Sequence, residues 1–272
     1  MVYGLCADLL LHTDQQSCGA ISEHKETGET KLKLSISNIA WSAENDQTVY
    51  EIMKKEGFTG LEIAPTRIFP DSPYDRPDEA LAWAKELKDE YGFDVPSMQS
   101  IWYGRQEKLF GDEDERAALT DYTKKAIDFA KAVGCRNLVF GCPRNRVKPD
   151  GADEKVAVEF FREIGDYAFT QGTAIGMEAN PPIYNTNYIN DTASAFELIE
   201  KVDSKGFLLN LDVGTMIENG ESVSLLRGRE GLINHVHISE PFLKPIEKRD
   251  LHRDLAGFLM ESGYDRFVSI EV

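Results

Sequence analysis

From Leu32 onward the chain alternates, without exception, between short strand-like runs and amphipathic helical stretches. The strand candidates are Leu34–Ala40, Gly60–Ala64, Val95–Trp102, Asn137–Gly141, Ile175–Glu178, Leu208–Asp212, Ile233–Glu240 and Phe267–Glu271. Their centres lie roughly 25 to 40 residues apart, the interval a strand, a crossover helix and two loops require. Seven helical patterns fall between them: Asp46–Lys55, Pro77–Tyr91, Asp112–Val133, Glu154–Phe169, Asp191–Val202, Ser222–Arg229 and Arg249–Glu261. Strict alternation implies parallel strands, and eight units imply a closed (β/α)8 barrel, a TIM barrel, over residues 32–272. A doubly wound open sheet is the competing topology, but no glycine-rich fingerprint follows the first strand. The last strand is followed by a single residue, so the closing helix is missing; truncation or a covering partner, including a second copy, is expected there.

Residues 1–31 differ in character. Val2–Leu11 is apolar but interrupted by Asp8 and not preceded by a basic residue, a poor secretory signal; Gln15–Lys31 reads as linker. Cys6, His12, Cys18 and His24 match no standard zinc spacing, so these residues are expected to form an extension outside the fold. Cys135 and Cys142 flank an apolar run and read as small buried wall residues. The absence of a disulfide framework and of a long apolar run predicts a chain in the reducing cytoplasm, with no membrane partner. A formal net charge of −17 argues against nucleic acid as a partner, because phosphate contacts rest on Lys and Arg.

In a barrel the carboxyl ends of all strands face one mouth. Four successive strands bring chemistry there: Glu178, Asp212, His237 and Glu271. This mixed oxygen and nitrogen set suits one divalent metal (Mn, Mg, Co or Zn) rather than a thiolate zinc site. His235 and His237 alternate and therefore share a face; His237, nearer the mouth, is the expected ligand, with His235 a satisfied interior residue one layer down. Carboxylates beside a metal also form a proton-transfer pair for a carbon next to a carbonyl. Candidate substrate contacts are Glu62, Gln99, Trp102, Arg144, Asn180 and His252, with Tyr103, Arg105 and Arg146 near them. Trp102 offers an apolar wall, Asn180 a hydroxyl contact, and Arg144 and Arg146 an anion clamp.

The order Glu, Asp, His-x-His and a final Ile-Glu, with Leu61-Glu-Ile63 and Gly263–Glu271, resembles the xylose isomerase-like barrel superfamily over residues 32–272. That resemblance implies metal ligation by Glu178, Asp212, His237 and Glu271, and, in its epimerase branch, Glu178 and Glu271 as the acid/base pair. The implied enzyme is a metal-dependent sugar or sugar-phosphate isomerase or epimerase. An inosose-type dehydratase on the same ligands, a catalytically inert barrel and an endonuclease-type hydrolase are the alternatives. Thr215 stands where the epimerases usually carry a substrate-contacting His, which weakens assignment to an ordinary ketose epimerase. The endonuclease branch uses several metals and extra histidines; five histidines and the acidic balance speak against it.

Overall fold

The structure, a computed structural model, describes residues 32–272. The expected extension, with its cysteines and histidines, lies outside the described residues. Seven parallel strands form one sheet: β1 (Lys33–Ser37), β2 (Gly60–Glu62), β3 (Leu138–Phe140), β4 (Ile175–Met177), β5 (Phe207–Asp212), β6 (Ile233–Ile238) and β7 (Phe267–Ile270). Their order, β2-β1-β7-β6-β5-β4-β3, leaves β2 and β3 as its two edges.

The eighth wall segment closes the ring without being a regular strand. Expected as a strand over Val95–Trp102, it makes only single parallel bridges, Gly60 to Asp94, Ile63 to Met98 and Met98 to Leu138. Leu61 donates its amide to the Asp94 carbonyl at 2.9 Å on one side, and Val139 donates to the Met98 carbonyl at 2.8 Å on the other. Pro96 has no amide to give the ladder, which is why pairing is interrupted here.

Eight α-helices accompany the strands among the described residues: α1 (Asp46–Lys55), α2 (Pro65–Ile68), α3 (Pro77–Tyr91), α4 (Glu113–Ala132), α5 (Lys155–Thr170), α6 (Thr192–Val202), α7 (Val213–Asn219) and α8 (Asp250–Glu261). Local sequence sets several boundaries. Asp112 and Glu115 form a reciprocal capping box that opens α4, and Gly92, in the left-handed region, ends α3. The helix expected over Ser222–Arg229 is replaced. The chain turns helical at once after β5, because Asp212 caps α7 by accepting from the Thr215 amide, and Val223–Leu226 is only a 3-10 turn. No helix among the described residues is long and apolar enough to cross a membrane.

The apolar core lies between the strands and the helices. Phe140, Phe160, Phe161 and Phe207 are all buried there, with Phe161 stacked on Phe207 at 4.7 Å between centroids. Inside the ring the character reverses: Ser35, Ser37, Glu62, Ser97, Asn137, Asn210, His235, His237 and Ser269 are each at most 1% exposed. A barrel interior is ordinarily filled by branched apolar residues; most of this polar filling is hydrogen-bonded, the exceptions being Ser35 Oγ, Ser269 Oγ and His235 Nε2.

Close packing of helix on barrel makes one substitution diagnostic. A β-carbon at Gly206 would sit 2.0 Å from the Gly165 carbonyl oxygen of α5, whereas one at Gly231 meets nothing within 4 Å. Gly206→Ala is expected to destabilise by about 1–3 kcal/mol in urea unfolding and Gly231→Ala by less than about 0.5 kcal/mol. Equal effects would contradict this packing.

Candidate metal centre

The four strand-end residues come together as the sequence expects. One ligand atom from each of Glu178, Asp212, His237 and Glu271 lies within 4.8 Å of the others. His237, wholly buried, is the hub. Its Nδ1 is 3.0 Å from Glu178 Oε1 and 3.2 Å from Glu271 Oε2, while its Nε2 is 2.9 Å from Glu62 Oε2. The ring therefore spans the interior, with the mouth acids on one nitrogen and a lower carboxylate on the other.

Each acid is fixed by its own surroundings. Glu178 Oε1 accepts from Asn210 Nδ2 at 2.9 Å and Glu178 Oε2 from Asn180 Nδ2 at 3.2 Å. Arg146, fully buried, donates to the Glu178 carbonyl and to Asn180 Oδ1, each at 2.8 Å, and so pins the end of β4. Gly141 leaves room for this carboxylate, since a β-carbon there would stand 2.7 Å from Glu178 Oε2. Asp212 Oδ2 accepts from the Thr215 amide at 2.7 Å and lies 2.8 Å from the Thr215 hydroxyl, and Oδ1 accepts a short bond from Ser239.

Crowding shows in the acidities. Burial, reinforced by the charges of Glu178 and Asp212 against the pull of His237, pushes the Glu271 carboxyl up to about 7. Burial and then the Glu178 charge also raise Asp212. Burial alone would depress His237, but the charges of Glu62 and Glu271 and bonds to Glu178 and Glu271 lift it well above the usual imidazole range. For Glu62 burial acts upward, and the His237 charge, the His237 bond and the close approach of His235 reverse it, holding the carboxyl below the usual range.

Several expected substrate contacts are placed differently. Trp102 does not face the mouth: its indole donates to Thr123 Oγ1 on α4 at 2.8 Å, and its ring packs edge-on to Phe140 and Phe160, because the turn after the eighth wall segment sends it outward into the core. Glu62 and Gln99 lie inside the barrel below the acids; Gln99 donates to Ser37 Oγ at 2.6 Å and to Glu62 Oε1 at 3.3 Å. Arg144 is exposed on the loop after β3, where its carbonyl accepts from Lys108. His252 is buried on α8 and its Nε2 has no hydrogen-bond partner among the described residues. Asn180 and Arg146 do join the acid cluster. Tyr103 is 71% exposed, and Arg105 pairs with Glu107.

His235 is interior but not satisfied as expected. Its Nε2 lies 3.1 Å from Glu62 Oε2, off the line of a hydrogen bond. Asn210, Ser239 and Asn137 escaped the sequence reading. They hold the acids through a line of amides: Arg266 donates to Asn234 Oδ1 (2.8 Å), Asn234 to Asn137 Oδ1 (2.7 Å), Asn137 to Asn210 Oδ1 (3.2 Å) and Asn210 to Glu178. A register shift between β5 and β6 bulges out Asn234 and makes this line continuous. Inward asparagines at alternate strand positions are the one signal that would have revealed it.

The model of the xylose isomerase-like TIM barrel family matches residues 50–272. The chain belongs to this family. No curated protein matches the sequence. Among solved structures, apo 3-keto-D-glucoside 4-epimerase YcjR from E. coli is similar, with a TM-score of 0.69 and 22% identity over 89% of this chain and 92% of that one. A D-psicose 3-epimerase crystallised in the presence of D-fructose gives 0.71 and 19%, over 88% and 84% of the two chains. An AP endonuclease of family 2 from Brucella melitensis gives 0.67 and 20%, over 88% and 93%. At these identities the likeness is one of fold, and it confirms the barrel.

Beside the mouth, Glu240 is 3% exposed and takes a two-pronged bond from Arg249, with the Glu247 amide adding a third at 3.1 Å. Burial works against the charged form, but the Arg249 bond and that amide outweigh it and lower the carboxyl. A depressed carboxyl stabilises the fold above the unfolded glutamate value of about 4.3. That contribution is lost as pH falls through the lower folded value. Thermal stability of Glu240→Gln is therefore expected to fall less steeply than wild type between about pH 5 and pH 3; parallel curves would contradict the assignment.

Proposed function

We propose that this chain is a divalent-metal-dependent isomerase or epimerase of a sugar or sugar phosphate. The observation that carries the reading is the buried convergence of three carboxylates on one imidazole at the mouth of the barrel. Three acids this close repel one another, as the raised Asp212 and Glu271 show, and a cation among them would relieve that repulsion. The donor set is oxygen-rich with one nitrogen, which suits Mn, Mg, Co or Zn. Glu178, Asp212, His237 Nδ1 and Glu271 would hold the ion, and Glu62 would accept a hydrogen bond from His237 Nε2–H and fix the ring. When bound, such an ion supplies electrophilic polarisation of the substrate carbonyl and neutralises the acids.

The protein's own groups supply proton transfer. Glu271 stands beside Glu178 at the mouth, across His237 Nδ1 from it, and would give or take a proton there. Glu178, fixed by Asn210, Asn180 and the Arg146 anchor, faces the same space and exchanges a proton with the carbon beside the carbonyl. The names of the similar structures, a keto-glucoside 4-epimerase and a psicose 3-epimerase, point to sugars as the substrate class. Thr215 is only 1% exposed and committed to Asp212, so sugar selection here rests on side chains other than that position.

The test is deuterium exchange. The purified chain with Mn is expected to exchange the hydrogen next to the carbonyl of at least one member of a ketose panel in deuterated water, followed by proton magnetic resonance. Glu271→Gln is expected to slow that exchange about a hundredfold or more. Undiminished exchange in Glu271→Gln, or none across the panel, would overturn the reading.

A further inference from the structure

The barrel has a second concavity on the face opposite the mouth. Lys33, at the start of β1, Arg136, just before β3, and Phe267, at the start of β7, line a cavity of about 1060 Å³ beneath the strands. Its charge contradicts the rest of the protein. Seven Lys and Arg against two Asp line it, whereas the whole chain carries 30 Lys and Arg against 47 Asp and Glu.

Helix dipoles explain part of this excess. Lys88 and Lys131 stand in the last turns of α3 and α4, where cations belong, and Lys85 and Lys88 are paired with Asp89 and Asp94. The remaining four, Lys33, Arg136, Lys205 and Arg266, come from the loops and strand starts. Arg266 is engaged by the Ile233 carbonyl and Asn234. Lys33 and Lys205 rest over the rings of Phe267 and Phe169 and have no anionic partner among the described residues. The Arg136 guanidinium has no side-chain partner there at all, although its backbone is fixed through Pro96 and Asn234.

Beside these cations the wall is apolar, with Phe93, Val95 and Pro96 buried or half-buried and Leu81 and Phe169 more than half exposed at the rim. The volume is that of a small-molecule site. The net charge of −17 on the whole chain disfavours a polynucleotide as the occupant.

We propose that this cavity binds a phosphorylated organic anion carrying more than one phosphate, its phosphates on Arg136, Lys205 and Lys33 and its organic body against the Phe169 side. Asn234 and Asn137 form part of the cavity floor, their side chains buried and committed to the amide line, so the cations at the rim are what an anion would meet.

Titration calorimetry of the full, metal-free chain with ATP as the probe tests this. One saturable site is expected, its affinity falling as sodium chloride is raised. Arg136→Gln with Lys205→Gln, both exposed and replaceable without loss of core, is expected to weaken binding roughly tenfold or more. Glu178→Gln is expected to leave it unchanged, which separates this site from the mouth. No saturable binding, or binding that survives the double change, or binding lost in Glu178→Gln, would overturn the proposal.

Discussion

Everything at the mouth depends on one constraint: His237 is the one ring that touches carboxylates both above and below it among the described residues, in a barrel interior nearly closed to water. Glu62 below and Glu178 and Glu271 above all lie within 3.2 Å of its ring nitrogens. One imidazole cannot balance that many charges, and burial together with mutual repulsion raises both the Glu271 and the Asp212 carboxyl. On the proposed reading, a divalent ion would supply the positive charge that is short here. Structural cost and chemical capability are here one property.

The fold bears that cost by converting the barrel interior into a scaffold of amides and hydroxyls. Asn210 is central, since its carboxamide links Glu178 to Asn137 and its backbone lies opposite His235 in the sheet. Gly176 makes this possible: a β-carbon there would stand 2.4 Å from Asn137 Oδ1 and 3.1 Å from Asn210 Cβ. Arg146 serves the same end from outside the ring, its burial depressing the guanidinium to about 10 while it fastens Glu178 and Asn180 in place. Rigid support of this kind is what proton transfer at fixed distance requires.

The barrel was legible because its signal is redundant. Strand-like and helical runs alternate from Leu32 to the end of the chain, and each additional unit points to the same parallel closed sheet. The convergence of Glu178, Asp212, His237 and Glu271 was legible for a topological reason, since strand ends share a mouth whatever the loops do. What was not legible depends on direction rather than on type. Trp102 reads as a sugar platform and lies in the wall because one turn rotates it outward. The eighth wall segment reads as a strand yet makes only single bridges because Pro96 breaks its ladder. Asn234 could not be placed without the bulge, and Asp212 reads as a strand end although it also caps a helix, which displaced the next helix from its expected position.

Metal stoichiometry tests the central claim most directly. Elemental analysis of the purified chain after exposure to Mn, Co or Zn and removal of excess is predicted to find one equivalent in wild type and none in Glu178→Gln/His237→Ala. No retained metal in wild type, or one equivalent in both proteins, would contradict the account.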